Sequence, residues 1–136
     1  MARSGARAAV MQLIYENLLG GDGDDTLEGL IAFEPEEDDR EYIDRVFSGV
    51  EGQAKKLDAI IAEHSPTREI GRIARVVLSI LRLALYEMLY EKDTPDSVAI
   101  NEAVELAKRF GEPADARFIN GVLGAVSRER GESAKV

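Results

Sequence analysis

Leu81–Gly124 reads LRLALYEMLYEKDTPDSVAINEAVELAKRFGEPADARFINGVLG, and its punctuation decides the fold. Val76–Leu89, which overlaps its start, is apolar on most faces, with Arg82 and Glu87 as its only charges. That composition suits a central helix surrounded by others. Thr94–Pro95 then offers an N-cap followed by proline at the first helical position, opening a helix to about Phe110. Gly111 stops it, and Pro113 or Asp115 opens a last helix expected to reach about Arg130 before Gly131. Some polar residues in this stretch are not explained by packing: Asn101 and Glu102 after Ile100, and Asn120–Gly121 before Val122. Such residues either satisfy buried backbone or serve a partner.

Working outward, Ala6, Ala9, Val10, Leu13, Ile14 and Leu18 recur at steps of three and four, which predicts a helix over Ala6–Leu19 with one apolar stripe. Gly20, Gly21 and Gly23 end it. Thr26–Phe33 reads as a brief helix. After Pro35 an acidic run suits a helix start, where the macrodipole favours negative charge. That helix is expected over about Asp38–His64, with Tyr42, Ile43, Val46, Phe47, Val50, Leu57, Ile60 and Ile61 as its stripe, and with Gly49 and Gly52 allowing close helix contact. Ser65–Pro66 reads as another N-cap pair, with helical patterning on to about Glu91, broken near Gly71. There is no strand alternation and no repeat of fixed period. The expectation is an all-α bundle of about six to seven helices, one domain over residues 1–131, with a frayed tail at 132–136.

The bulk numbers limit the function classes. A chain of 136 residues can bury a core without staples. It has no cysteine, so disulfide and thiolate chemistry are absent, which fits the cytoplasm. No apolar run reaches the roughly 18 residues a bilayer span needs, and the N-terminus lacks the apolar block of a secretory signal. The net charge of −9 argues at first against nucleic acid. Its distribution reverses that inference. Residues 22–63 hold 14 of the 26 acids and only 4 of the 17 bases, whereas the rest of the chain holds 12 acids and 13 bases. The acidity belongs to one segment, and the remainder can carry a basic patch.

Signals for catalysis, metals and cofactors are weak. His64 is the one histidine and stands at a helix end, where a cation suits the dipole; no nucleophile or orienting group lies near it in sequence. Asp22–Asp25 lacks the alternating ligands and closing glutamate of a calcium loop. The glycines at 20–23 follow a helix rather than a strand, so they read as a stop and not as a phosphate or dinucleotide loop. No enzyme, metal site or cofactor is expected. Nucleic-acid chemistry has better candidates. Arg3 and Arg7 are four apart and share a helix face, each able to fork a phosphate. Arg117, Phe118 and Asn120 combine a phosphate donor, a stacking ring and an amide that can read a base edge, although Phe118 also fits the apolar stripe with Val122 and Ala125. Lys108 and Arg109 close a helix, where cations are favourable and can also face RNA. Asn101 and Glu102 read as structural tethers, and Arg82 and Glu87 as buried pairs or partner contacts.

Taken together, Leu81–Glu87 (LRLALYE), Val98–Gly111 (VAINEAVELAKRFG) and Arg117–Gly124 (RFINGVLG) resemble the NusB family of transcription antitermination factors. So do Ala6–Arg7 and the Gln12-x-x-Tyr15 spacing of the first helix. The resemblance covers roughly Ala6–Val126 and thins between Gly20 and Pro66. It implies a helical fold of two small subbundles and a non-catalytic protein. It further implies that the protein binds the boxA element of ribosomal RNA transcripts together with NusE, a small-subunit ribosomal protein, and helps RNA polymerase read through terminators. By position it places Arg3, Arg7, Gln12, Lys108, Arg117, Phe118 and Asn120 against RNA, and Tyr15, Arg72 and Val77 on the partner side.

The family usually carries a denser basic N-terminus, where only Arg3 and Arg7 stand here. The acid that commonly follows the second arginine is Ala8, and an acid common near the start of the central helix is Val77. Fewer phosphate contacts weaken binding and flatten its salt dependence, so the lone protein is expected to bind RNA poorly and to need NusE. Two other readings remain: a helical adaptor or homodimer with weak RNA binding, and a lone relative of the RNA-binding domain carried by some ribosomal RNA methyltransferases.

Overall fold

The computed structural model describes residues 3–20 and 37–131. The brief helix expected at Thr26–Phe33 and the tail at 132–136 lie outside them. Among the described residues there are six α-helices and one short 3-10 turn, with no strand: α1 (Arg3–Leu18), α2 (Glu37–Gly52), α3 (Ala54–Glu63), the 3-10 turn Ile70–Arg72, α4 (Arg75–Tyr90), α5 (Asp96–Phe110) and α6 (Pro113–Arg130). Among the described residues no helix is long and apolar enough to cross a membrane.

Helix α4 is the hub. Twelve of its 16 residues are buried, and it packs against α1, α2, α3, α5 and α6. Helices α1, α2 and α3 form one subbundle and the α5–α6 hairpin the other, with α4 shared between them. This explains why Val76–Leu89 shows no polar face: it has neighbours on all sides. Helix α1 is buried more completely than a single stripe predicts. Ala6 to Gln12 are consecutively buried, Arg7 and Gln12 included.

The long helix expected over Asp38–His64 is two helices. The chain bends at Gln53, whose φ of −112° and ψ of 13° leave the α region. The apolar spacing runs through the bend unbroken: Tyr42, Val46 and Val50 are buried on α2, then Leu57 and Ile61 on α3. Periodicity therefore gave no sign of it. The two glycines differ in role. A Cβ on Gly49 would overlap the Tyr86 phenol, so absence of a side chain is what lets α2 and α4 approach. Gly52 has open space.

Ser65–Pro66 does not start a helix. The Ser65 hydroxyl donates to the Arg68 carbonyl at 2.6 Å, which satisfies a turn instead. Helix α4 begins later, at Arg75. Helix α5 begins one residue past the expected place, because Pro95 is the extended residue whose carbonyl accepts from Val98 and Ala99. Helix α6 begins as expected, with Pro113 in the first turn and a reciprocal cap between Glu112 and Asp115. Gly131, at φ +76°, closes it.

Two ion pairs, one buried and one part-buried, tie the α1–α3 subbundle to α4, as Arg82 and Glu87 suggested. Arg82 grips Asp58 of α3 through Nε at 2.8 Å and Nη2 at 2.7 Å. Glu87, 1% exposed, accepts from Arg7 Nε at 2.9 and 3.0 Å and from the Tyr42 hydroxyl at 2.5 Å. Glu102 stands 3.7 Å from Arg7 Nη1, so this residue is a tether from α5 to α1. Burial pulls the Arg7 pKa down, but the charge and hydrogen bonds of Glu87 more than offset it and hold the guanidinium above its ordinary value.

Two stability outcomes follow from these contacts. Gly49→Ala is expected to cost about 1–3 kcal/mol through overlap with Tyr86, although alanine in an open helix position gains about 0.5–1 kcal/mol over glycine. Gly52→Ala is expected to be neutral or stabilising, and urea unfolding of both variants checks the opposite signs. Glu87→Gln removes the nearer counter-charge of a buried arginine and leaves only Glu102 at 3.7 Å, so it is expected to cost about 3 kcal/mol in the same assay.

Candidate nucleic-acid interface

Helix α6 presents an exposed face in which Ala114, Arg117, Gly121, Ala125 and Arg128 recur at steps of three and four. Arg117 and Asn120 are exposed, and Phe118 is half-buried at the margin of this face, packed against the core. The ring rests on the core, as its place in the apolar stripe with Val122 and Ala125 suggests, and its margin lines a cleft. The cleft runs between α6 and the 66–68 loop, and its basic groups are Arg68, Arg117 and Arg128. Arg128 reaches back along the helix, as long side chains do, until Nη1 stands 3.2 Å from where a Cβ on Gly124 would sit. Small residues at 114, 121 and 125 keep the floor of the cleft low.

Arg68 was not singled out by sequence reading. Its guanidinium lies over the Phe118 ring, 4.0 Å from the centroid, and its Nη1 is 3.4 Å from Asp115 Oδ1. A loop arginine has no periodicity to betray it. Arg128 could have been found, since it stands eleven residues after Arg117, three turns along the same helix face. His64 borders the same cleft. Its Nδ1 is 2.8 Å from the Ile60 carbonyl and its Nε2 3.2 Å from Glu129. It closes α3 and ties it to α6, as its position at a helix end suggested.

A second cleft brings the start of α1 against the end of α5. Ser4 and Gly5 line it with Glu102, Glu105, Leu106, Lys108 and Arg109. The backbone of Arg3 opens α1 beside it; the Arg3 side chain lies outside the described residues. Lys108 is exposed, with a loose pairing to Glu105 at 3.5 Å. The structure therefore gathers the first helix with Lys108 and Arg109, and gathers Arg117 and Phe118 with Arg68 and Arg128. The two clefts share no lining residue.

Three expected contact residues are turned inward. The Arg7 side chain is 8% exposed and committed to Glu87, so it is a core anchor rather than a fork for phosphate. Gln12 is fully buried, and neither its amide nitrogen nor its oxygen has a hydrogen-bond partner among the described residues. Val77 is fully buried in the first turns of α4, where the inward stripe with Ile80, Leu81 and Ala84 claims it, so its side chain offers a partner nothing. Of the remaining partner-side residues, Arg72 is exposed on the 3-10 turn, and Tyr15 is half-buried against the core. Asn101 is exposed. Among the described residues no group of three or more acidic or histidine side chains could hold a metal.

Comparison with known proteins bears on the family and the fold. The NusB family matches residues 4–128. The transcription antitermination protein NusB of Dehalococcoides mccartyi is 39% identical over 136 residues, spanning 98% of this chain and 95% of that protein. Its counterpart in Acetivibrio thermocellus is 42% identical over 131 residues, spanning 93% and 88%. The structure of T. maritima NusB superposes with a TM-score of 0.81 at 31% identity, covering 93% of this chain and 91% of that one. A crystal structure described as antitermination factors NusB and NusE in complex with dsRNA gives a TM-score of 0.78 at 24% identity, covering 93% and 96%, a likeness of fold.

The buried Gln12 amide separates a structural position from a contact position. Gln12→Met removes two desolvated polar atoms at nearly constant volume and helix propensity, and is expected to stabilise by roughly 1–2 kcal/mol. Thermal melting checks it; a destabilised variant with selectively lost RNA binding would return Gln12 to the interface.

Proposed function

The chain belongs to the NusB family of non-catalytic antitermination factors, and from that premise we propose that it binds the boxA element of ribosomal RNA transcripts together with NusE, promoting read-through by RNA polymerase in the cytoplasm. The observation that carries this reading is the exposed face of α6, where Arg117 and the margin of Phe118 meet Arg68 and Arg128 at one cleft, with Asn120 exposed on the same helix. Arginines supply phosphate donors, and a ring, guanidinium planes and an amide suit unstacked bases. Lys108 and Arg109 beside the start of α1 supply a second basic point for the backbone. A neighbour of the same fold is a complex of NusB with NusE and dsRNA, which supports a fold that takes a protein partner and RNA together. Tyr15 and Arg72 are the proposed partner-side residues, both with accessible surface.

The commitment of Arg7 to Glu87 adds a physical reason for weak binding by the lone protein. One of the two N-terminal arginines is spent inside the fold, and the charge that remains is spread over two clefts. The partner then has to supply the missing phosphate contacts.

Titration of labelled boxA RNA with the protein, alone and with NusE, tests the reading. The lone protein is expected to bind more weakly than micromolar at physiological salt, and NusE to tighten it. Arg117→Ala and Phe118→Ala should each weaken the ternary complex, and Arg117→Ala should lower the slope of log affinity against log salt by about 0.7, the value for one single-strand phosphate contact. Equal binding of a scrambled RNA, with neither substitution mattering, sinks the proposal.

A further inference from the structure

We propose that the surface offered to an RNA base at the α6 cleft is the guanidinium plane of Arg68, with the Phe118 ring as its support and not as the stacking face itself. The inference rests on the RNA-binding reading above and assigns a stacking residue within it.

The geometry is restrictive. The Arg68 Cζ lies over the Phe118 ring, 4.0 Å from its centroid, and at that separation a base has no room between them. The Phe118 ring is half-buried and packed against the core, so it already has a neighbour on the protein side. The Arg68 side chain keeps 28% of its surface exposed and lines the cleft beside Arg117. A planar guanidinium, like an aromatic ring, can stack on a base. Its backing by a second π-system spreads the contact over two layers.

The platform is also held in place before any ligand arrives. Asp115 does two things at once. Its Oδ2 accepts the Glu112 backbone N–H at 2.7 Å, closing the cap of α6, and its Oδ1 faces Arg68 Nη1 at 3.4 Å. From the other side, the Ser65 hydroxyl fixes the Arg68 carbonyl at 2.6 Å. Backbone and side-chain end are both restrained, which lowers the ordering cost of binding. Because Asp115 partly neutralises Arg68, the contribution of Arg68 is its plane more than its charge. Arg117 and Arg128, on the same cleft, are left for the flanking phosphates.

Arg68→Lys keeps the charge and removes the plane. It is read in the complex with NusE, on single-stranded boxA RNA carrying 2-aminopurine at successive positions, below the melting temperature of each variant. Wild-type protein is expected to quench the probe at one position. Arg68→Lys should abolish that quench and lower affinity at least fivefold, as loss of one stacked base does, with the salt slope unchanged. If Phe118 were itself the stacking face, uncovering it would leave binding equal or tighter in Arg68→Lys; that result overturns the inference while the functional reading stands. Absence of boxA binding by the wild-type complex overturns both.

Discussion

Glu87 is a carboxylate 1% exposed in the middle of α4. Moving an ionised carboxylate out of water costs several kcal/mol unless partners offset it. The partners come from two other helices: Arg7 from α1 and the Tyr42 hydroxyl from α2. Glu102 of α5 stands at the outer end of the same arginine. Four helices are thus registered against one another by a single charge cluster, and any slide of α1 along α4 would strand a buried ion. The apolar contacts around it supply most of the packing, but they are non-directional. The ionic cluster specifies which way round α1 lies, and so it sets the start of α1 against Lys108 and Arg109 at the end of α5.

The second constraint is Asp115. A capping carboxylate is a local device, good for one helix end. Here its other oxygen reaches the 66–68 loop, so the residue that starts α6 also positions the arginine lying over Phe118. The cap of α6 and the placement of Arg68 thus share one carboxylate. The chain's net charge of −9 gives no hint of it. The acids concentrate between residues 22 and 63, and the α6 cleft draws on arginines from elsewhere in the chain.

Much of the architecture was legible. Helices α1, α4, α5 and α6 follow from apolar spacing with Gly111, Pro113 and Gly131 as punctuation, because each signal acts within a few residues. The failures have specific causes. The bend at Gln53 was hidden because Val50, Leu57 and Ile61 stay in phase across it. Ser65–Pro66 carries the residue types of a helix start, but the serine hydroxyl found the Arg68 carbonyl instead. Arg7 and Gln12 looked like surface residues because charge and amide usually face water, and only the position of α4 shows that they do not.

The sequence by itself determined the helical class, the hub helix, the two helices on either side of Gly111 and the three motifs that place the chain in its family. It also marked Arg117, Phe118 and Asn120, whose grouping needs nothing beyond one helical turn. Only the tertiary structure decided which charges are spent and which are offered. Arg3 and Arg7 read alike along the chain, yet Arg7 meets a carboxylate eighty residues away. Arg68 carried no signal at all until α6 brought Phe118 and Asp115 beneath it. Helical periodicity reports which faces are apolar, because that depends on near neighbours. The partner of a polar atom depends on which face another helix presents, and this is fixed only when the bundle closes.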